Sequence, residues 1–134
     1  MQAHDRFMHR CAELAALAAA EGESPVGSVV VKNGTVLGEG YEKSRQLKDI
    51  TRHAEVVAIL DAVQKGHNCT GAILYSTTEP CLLCSYVIRH HRIATLVFSR
   101  RCGELGGTRP GYGLLQVDTV SSWGAPPAII LYHS

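Results

Sequence analysis

No stretch of this chain is apolar for long enough to cross a bilayer. Its longest apolar runs, such as AALAAA at 15–20, fall far short of the roughly 20 residues that a helical span needs. The first ten residues, MQAHDRFMHR, have no apolar core, which argues against a secretory leader. Charge of one sign is missing too. Thirteen Lys and Arg face twelve Asp and Glu, a formal net charge of +1. The totals therefore show no strongly basic nucleic-acid face, although a local patch stays open.

What is present describes a compact globular chain. At 134 residues one domain covering 1–134 is expected, able to bury roughly two thirds of its unfolded surface. Five cysteines without an export signal point to a reducing, cytoplasmic setting, where thiolates serve as metal ligands. Cys11 fits the buried stripe of a helix. Cys69 and Cys102 have no obvious task.

Hydrophobic periodicity predicts a helix over 4–20 with Phe7, Cys11, Leu14, Ala15 and Ala18 facing inward. Strands at 26–31 and 35–41 flank Asn33-Gly34, a strong two-residue hairpin signal. A polar loop follows at 42–50. Thr51 is placed to cap a helix running to about Lys65, with Val56, Ile59, Leu60 and Val63 as its buried face. A strand at 72–77, a helix from about Cys81 to His90, an interior strand at 93–99 and a last strand at 128–132 complete the order. Between Cys102 and Gly113 glycine is too dense for a regular element. The alternation implies an α/β fold, a mixed central sheet covered by helices.

Two short runs carry the chemistry, 52-RHAEVVAIL-60 and 79-EPCLLCSYVI-88. Cys81 and Cys84, three apart in a first helical turn, place two thiolates on one side. With His53 they supply three ligands suited to zinc and leave one position open, as in a catalytic site. Glu55, beside the histidine, is placed to accept a proton from water and return it to a ring nitrogen or a leaving amine. A closed structural zinc knot would need a fourth ligand, and neither Cys69 nor Cys102 stands at ligand spacing.

HAE followed by PCLLC matches the H-x-E…P-C-x-x-C signature and resembles the cytidine deaminase-like zinc deaminases. Across residues 7 to 100 the segments are most similar to the branch of guanine deaminase, fungal-type cytosine deaminase and tRNA adenosine deaminase. The resemblance implies a three-layer α/β/α fold with a five-stranded sheet, and assembly as a homodimer or larger homo-oligomer. It makes His53, Cys81 and Cys84 the zinc ligands, Glu55 the proton shuttle, and the Cys81 backbone N–H a donor to the attacked centre. Glu42 stands where many relatives have a substrate-binding Asn, and a carboxylate cannot donate as an amide does.

Val26, Glu42, Glu104 and Trp123 are the candidate substrate contacts, although for Trp123 packing across a domain surface or subunit contact is the default reading. Near-neutral charge and the absence of a basic C-terminal helix put a small amino-heterocycle first: a free nucleobase, a related ring or a small nucleoside. Adenosine in a tRNA anticodon loop is the alternative, with the arginines from Arg89 to Arg109 (Arg89, Arg92, Arg100, Arg101 and Arg109) as phosphate contacts. A non-catalytic zinc-stabilised module is the third reading, disfavoured by the intact Glu55.

Overall fold

The computed structural model describes residues 3–133. Helix α1 (Asp5–Ala20) leads into β1 (Gly27–Lys32) and β2 (Thr35–Tyr41), followed by α2 (Ala54–Gln64), β3 (Ile73–Ser76), α3 (Leu82–His90), β4 (Thr95–Phe98) and β5 (Ala128–Leu131). The sheet order is β2-β1-β3-β4-β5. β1 pairs antiparallel with both β2 and β3, whereas β3–β4 and β4–β5 are parallel. The expected five-stranded mixed sheet is present. The hairpin turns at Asn33 and Gly34, both at positive φ (52° and 77°), as a two-residue turn of this kind requires.

Alternation along the strands sorts the core into two layers. Val29, Val31, Tyr75 and Val97 bury against Phe7, Met8, Cys11 and Leu14 of α1. Val30, Leu74 and Leu96 bury on the other side with Val56, Ile59 and Ala62 of α2 and Ile88 of α3. All five residues expected on the inner face of α1 are buried. On α2 the expectation needs correction. Ala54, Glu55, Ala58 and Ala62 join Val56 and Ile59 as buried residues, Leu60 is half-buried, and Val63 is exposed.

The reason lies in β2. Gly38 and Gly40 have no side chain, and α2 settles directly on them through Ala58 and Ala62. A Cβ at Gly38 would sit 2.5 Å from the Ala62 nitrogen, and one at Gly40 2.7 Å from the Ala58 nitrogen. Small residues, not the larger Leu60 and Val63, therefore face the sheet. This contact also brings the start of α2 beside the end of β2.

Residues 102–127 contain turns, a 3-10 turn at Ser121–Trp123, and an isolated bridge between Cys81 and Gly106. Residues 114–120 form no helix or strand, though Leu115 is fully buried. Among the described residues no helix is long and apolar enough to cross a membrane.

Replacing Gly38 by Ala should force α2 away from β2 and lower stability by about 1–3 kcal/mol, read as a shift in the denaturant midpoint. An unchanged midpoint would mean that α2 can move away freely.

Candidate metal centre and active site

Two helices begin at the candidate metal ligands themselves. His53 is the extended N-cap of α2 and Cys81 the extended N-cap of α3, so each ligand sits one step before the helix, not inside its first turn as the spacing suggests. Thr51 caps nothing; its hydroxyl and N–H both bond the Asp49 carboxylate. The Cys81 backbone at φ −76°, ψ −179° turns its thiol back toward Cys84, three residues into the helix.

His53 Nδ1 lies 3.3 Å from Cys81 Sγ and 3.5 Å from Cys84 Sγ, and the two sulfurs are 3.8 Å apart. A tetrahedral zinc with ordinary bond lengths demands S···S edges of about 3.8 Å and N···S edges of about 3.5 Å. The donor set fits that ion in both chemistry and size. His53, Cys81 and Cys84 form the one cluster of this kind among the described residues. Neither Cys69, buried, nor Cys102, exposed, joins it, so the closed four-ligand knot is not built.

Protons in the metal-free cluster are shared unevenly. Hydrogen bonding with the Cys84 thiol and with His53 pushes the Cys81 thiol down to about 4. Cys84 is raised well above its ordinary value, by that same bond and by burial. His53, hydrogen-bonded to Cys81, rises to about 9.

Glu55 is 4% exposed, inside the first turn of α2. Its Oε2 accepts a bond from the Ser76 hydroxyl at 3.3 Å, and its Oε1 lies 3.8 Å from Cys84 Sγ. Burial raises its carboxyl to about 7, with Cys81 adding to the rise and His53 opposing it. A carboxyl set near neutrality beside a metal centre can both take and give a proton.

Glu42, also buried, directly follows β2 and lies within electrostatic reach of His53 and Cys84. The bond from Lys43 N to Arg52 O (3.0 Å) closes the loop that brings them together. Ser44 Oγ donates to Glu42 Oε2, and the Glu42 N–H donates to Val26 O, which puts Val26 against the same corner. Glu104 is exposed on the glycine-rich loop, where its carbonyl accepts the Tyr112 hydroxyl. Trp123 is elsewhere. Its ring stacks over the Arg89 guanidinium, meets Tyr86 edge-on and donates to His90, all at the opposite end of α3 from Cys81.

Two residues that the sequence reading passed over shape this corner. Buried Glu23 accepts the N–H groups of Arg45 and Gln46, fixing the 42–52 loop. Buried Glu79 accepts those of Cys102 and Thr108. Both were legible only as acidic residues near turns. Glu79, directly before Pro-Cys, offered the better signal.

An α/β/α sheet presenting a His-Cys-Cys cluster beside a buried glutamate defines a zinc-dependent aminohydrolase that acts on a cyclic amidine. Residues 1–100 match the profile of the cytidine and deoxycytidylate deaminase zinc-binding region, and the chain belongs to that family. It deaminates an amino-substituted nucleobase or nucleoside.

The chain is 35% identical over 103 residues to the tRNA-specific adenosine deaminase of Aquifex aeolicus, covering 75% of this chain and 68% of that protein. It is 38% identical over 108 residues to the Buchnera aphidicola protein of the same name, covering 78% and 67%. Among solved structures, one from work on A-to-I editing by tRNA:A34 deaminases superposes with a TM-score of 0.86 at 27% identity, over 98% of this chain and all of that one. The guanine deaminase of Bacillus subtilis superposes at 0.68 with 32% identity, over 75% and 66%.

Zinc binding requires all three ligands without protons. At pH 7 the metal-free His53 and Cys84 hold theirs and Cys81 does not, so about two protons should leave per zinc bound. Apparent affinity should therefore fall as pH drops from about 8 to about 5, because acid favours the protonated metal-free form. Chelator competition across that range, with calorimetry in buffers of different ionisation enthalpy, measures both quantities.

Proposed function

We propose that the chain deaminates adenosine to inosine within tRNA, with His53, Cys81 and Cys84 holding zinc and Glu55 carrying the proton. The observation that carries this reading is where the charge lies. The two loops that border the site, 43–52 and 99–109, contain seven of the 13 Lys and Arg and only two of the 12 acidic residues. Arg45, Lys48, Arg100, Arg101 and Arg109 are exposed. A chain that is nearly neutral in total thus concentrates exposed basic side chains on the two loops that flank the ligand-bearing residues, a distribution suited to a phosphate backbone. The sequence alone puts a free base first; these basic loops and the tRNA-specific relatives weigh toward the alternative.

A zinc held by the three ligands would supply the charge that lets water lose a proton near neutral pH. Glu55 Oε takes that proton as the water oxygen attacks the amino-bearing ring carbon. The same carboxyl then delivers it to the adjacent ring nitrogen. A second transfer through Glu55 moves the remaining hydroxyl proton to the amine, which leaves as ammonia and restores the carboxylate. The Cys81 N–H takes no part in the bridge to Gly106, which is made by Leu82 N to Leu105 O and Gly107 N to Pro80 O, so it can donate to the attacked centre. Glu42 and Val26 are the proposed contacts to the base, with Glu104 a further contact from the glycine-rich loop.

Glu42 itself favours a second reading. A glutamate at this position offers two acceptor oxygens in place of an amide's donor, which suits a ring edge rich in N–H groups, such as that of guanine. We also infer assembly as a homodimer or larger homo-oligomer in a reducing cytoplasm, supported by the exposed Leu83 and Tyr86 on one face of α3 and by the free thiols.

Glu55→Ala should retain one zinc per chain and an unchanged melting curve while ammonia release falls by about 100-fold or more. Turnover close to wild type would remove Glu55 from the mechanism. The substrate is tested by incubating the protein with tRNA and quantifying inosine by mass spectrometry, beside a panel of amino-purines, amino-pyrimidines and nucleosides. Inosine formation is expected, with tRNA binding about 100-fold weaker on going from about 50 to about 200 mM salt if about four phosphates are contacted. Ammonia from free guanine or cytosine, with no inosine in any tRNA at low salt, would establish the small-base reading instead.

A further inference from the structure

Glu79 is a charged side chain, 2% exposed, with no cation within salt-bridge distance among the described residues. Its carboxylate is instead filled by one loop. Oε1 accepts the Cys102 N–H at 3.1 Å; Oε2 accepts the Thr108 N–H at 2.9 Å and the Thr108 hydroxyl at 2.6 Å. Its own N–H donates to Arg100 O at 2.7 Å. One residue thus grips both ends of the glycine-rich loop.

Between those ends the loop runs beside the metal-binding turn. Gly106 bridges Cys81 in antiparallel fashion, with Leu82 N bonded to Leu105 O (3.0 Å) and Gly107 N to Pro80 O (2.8 Å). The first of these bonds satisfies an orphan donor at the start of α3. Gly106 is a requirement of the arrangement, since a Cβ there would strike the Glu79 carboxylate. The extended Cys81 backbone, which aims both its thiol and its N–H, is therefore held from one side by Pro80 and from the other by a loop that Glu79 anchors.

We propose that Glu79 is a positioning residue for deamination: by anchoring the 102–108 loop against residues 80–82 it fixes the Cys81 thiolate and the Cys81 N–H in place. Groups that orient a metal ligand from behind typically influence metal affinity by about 10- to 100-fold. The role is the same for a free base and for tRNA, so it stands or falls separately from the substrate assignment.

The experiment compares wild type, Glu79→Gln and Thr108→Val. Glutamine keeps the shape of the side chain but places an amide NH2 against one of the two backbone donors. Valine removes the Thr108 hydroxyl, which donates to Glu79 and accepts from Arg101 Nη1, and leaves both backbone donors to Glu79 in place. Three readouts are taken: zinc release to excess chelator, the visible absorption of the cobalt-substituted protein, and amide exchange across 102–108. For Glu79→Gln, zinc release about 10-fold faster, an altered cobalt–thiolate spectrum and accelerated exchange of the Cys102 and Thr108 amides are expected. Thr108→Val should move each in the same direction by a smaller factor. Activity should fall in kcat with KM little changed.

Faster loop exchange or a lower melting temperature, with zinc release and cobalt spectrum as in wild type, would overturn the proposal and leave Glu79 a purely structural anchor. If the glutamine variant does not fold, Thr108→Val decides. Zinc release and spectrum unchanged there would equally overturn it.

Discussion

The structure depends on three soft donor atoms meeting within 4 Å of one another at the ends of two helices. A backbone cannot do this cheaply. Each ligand at an N-cap must leave helical geometry while the helix behind it stays fixed against the sheet. The sheet supplies the fixed reference: β3 feeds the turn that carries Cys81, and β2 lies under α2 so closely that only glycine fits beneath Ala58 and Ala62. The close approach of α2 sets where His53 lies, and so where its imidazole meets the two thiols.

Holding the donors together also creates the electrostatics of the site. Three groups that all want to lose protons to a metal are crowded with two buried carboxylates, Glu55 and Glu42. Desolvation keeps Glu55 near neutrality, where a carboxyl can cycle between its two states. The same crowding explains why His53 and Cys84 retain protons until a cation arrives. Metal binding and proton handling are two expressions of one arrangement.

Much of this was legible in the sequence, for physical reasons. Residues such as Phe7, Cys11 and Leu14 bury because a long amphipathic helix repeats its signal over several turns. His53, Glu55, Cys81 and Cys84 could be read because metal chemistry demands particular side chains at particular spacing. On α2 the buried Val56 and Ile59 were legible, whereas Ala58 and Ala62, which meet the glycines of β2, carried no such signal. Trp123 looked available for a base, yet its ring is occupied by Arg89, Tyr86 and His90, contacts set by a tail with no periodicity. Glu23 and Glu79 escaped notice because their partners are backbone N–H groups far along the chain, which carry no residue identity.

Those two glutamates have a broader consequence. Each loop beside the pocket takes its shape from a carboxylate located outside it, acting on main-chain amides that every residue except proline possesses. Side chains at Arg45, Gln46 and Cys102, which these carboxylates hold through their main-chain N–H groups, are thereby released from shaping the backbone, a task that Asp49 and Thr108 still share. Such a design separates scaffold from selectivity. New side chains can be installed at Arg45, Lys48 or Glu104 without rebuilding the loops, which makes these segments the natural place to redirect the enzyme toward another ring or another strand.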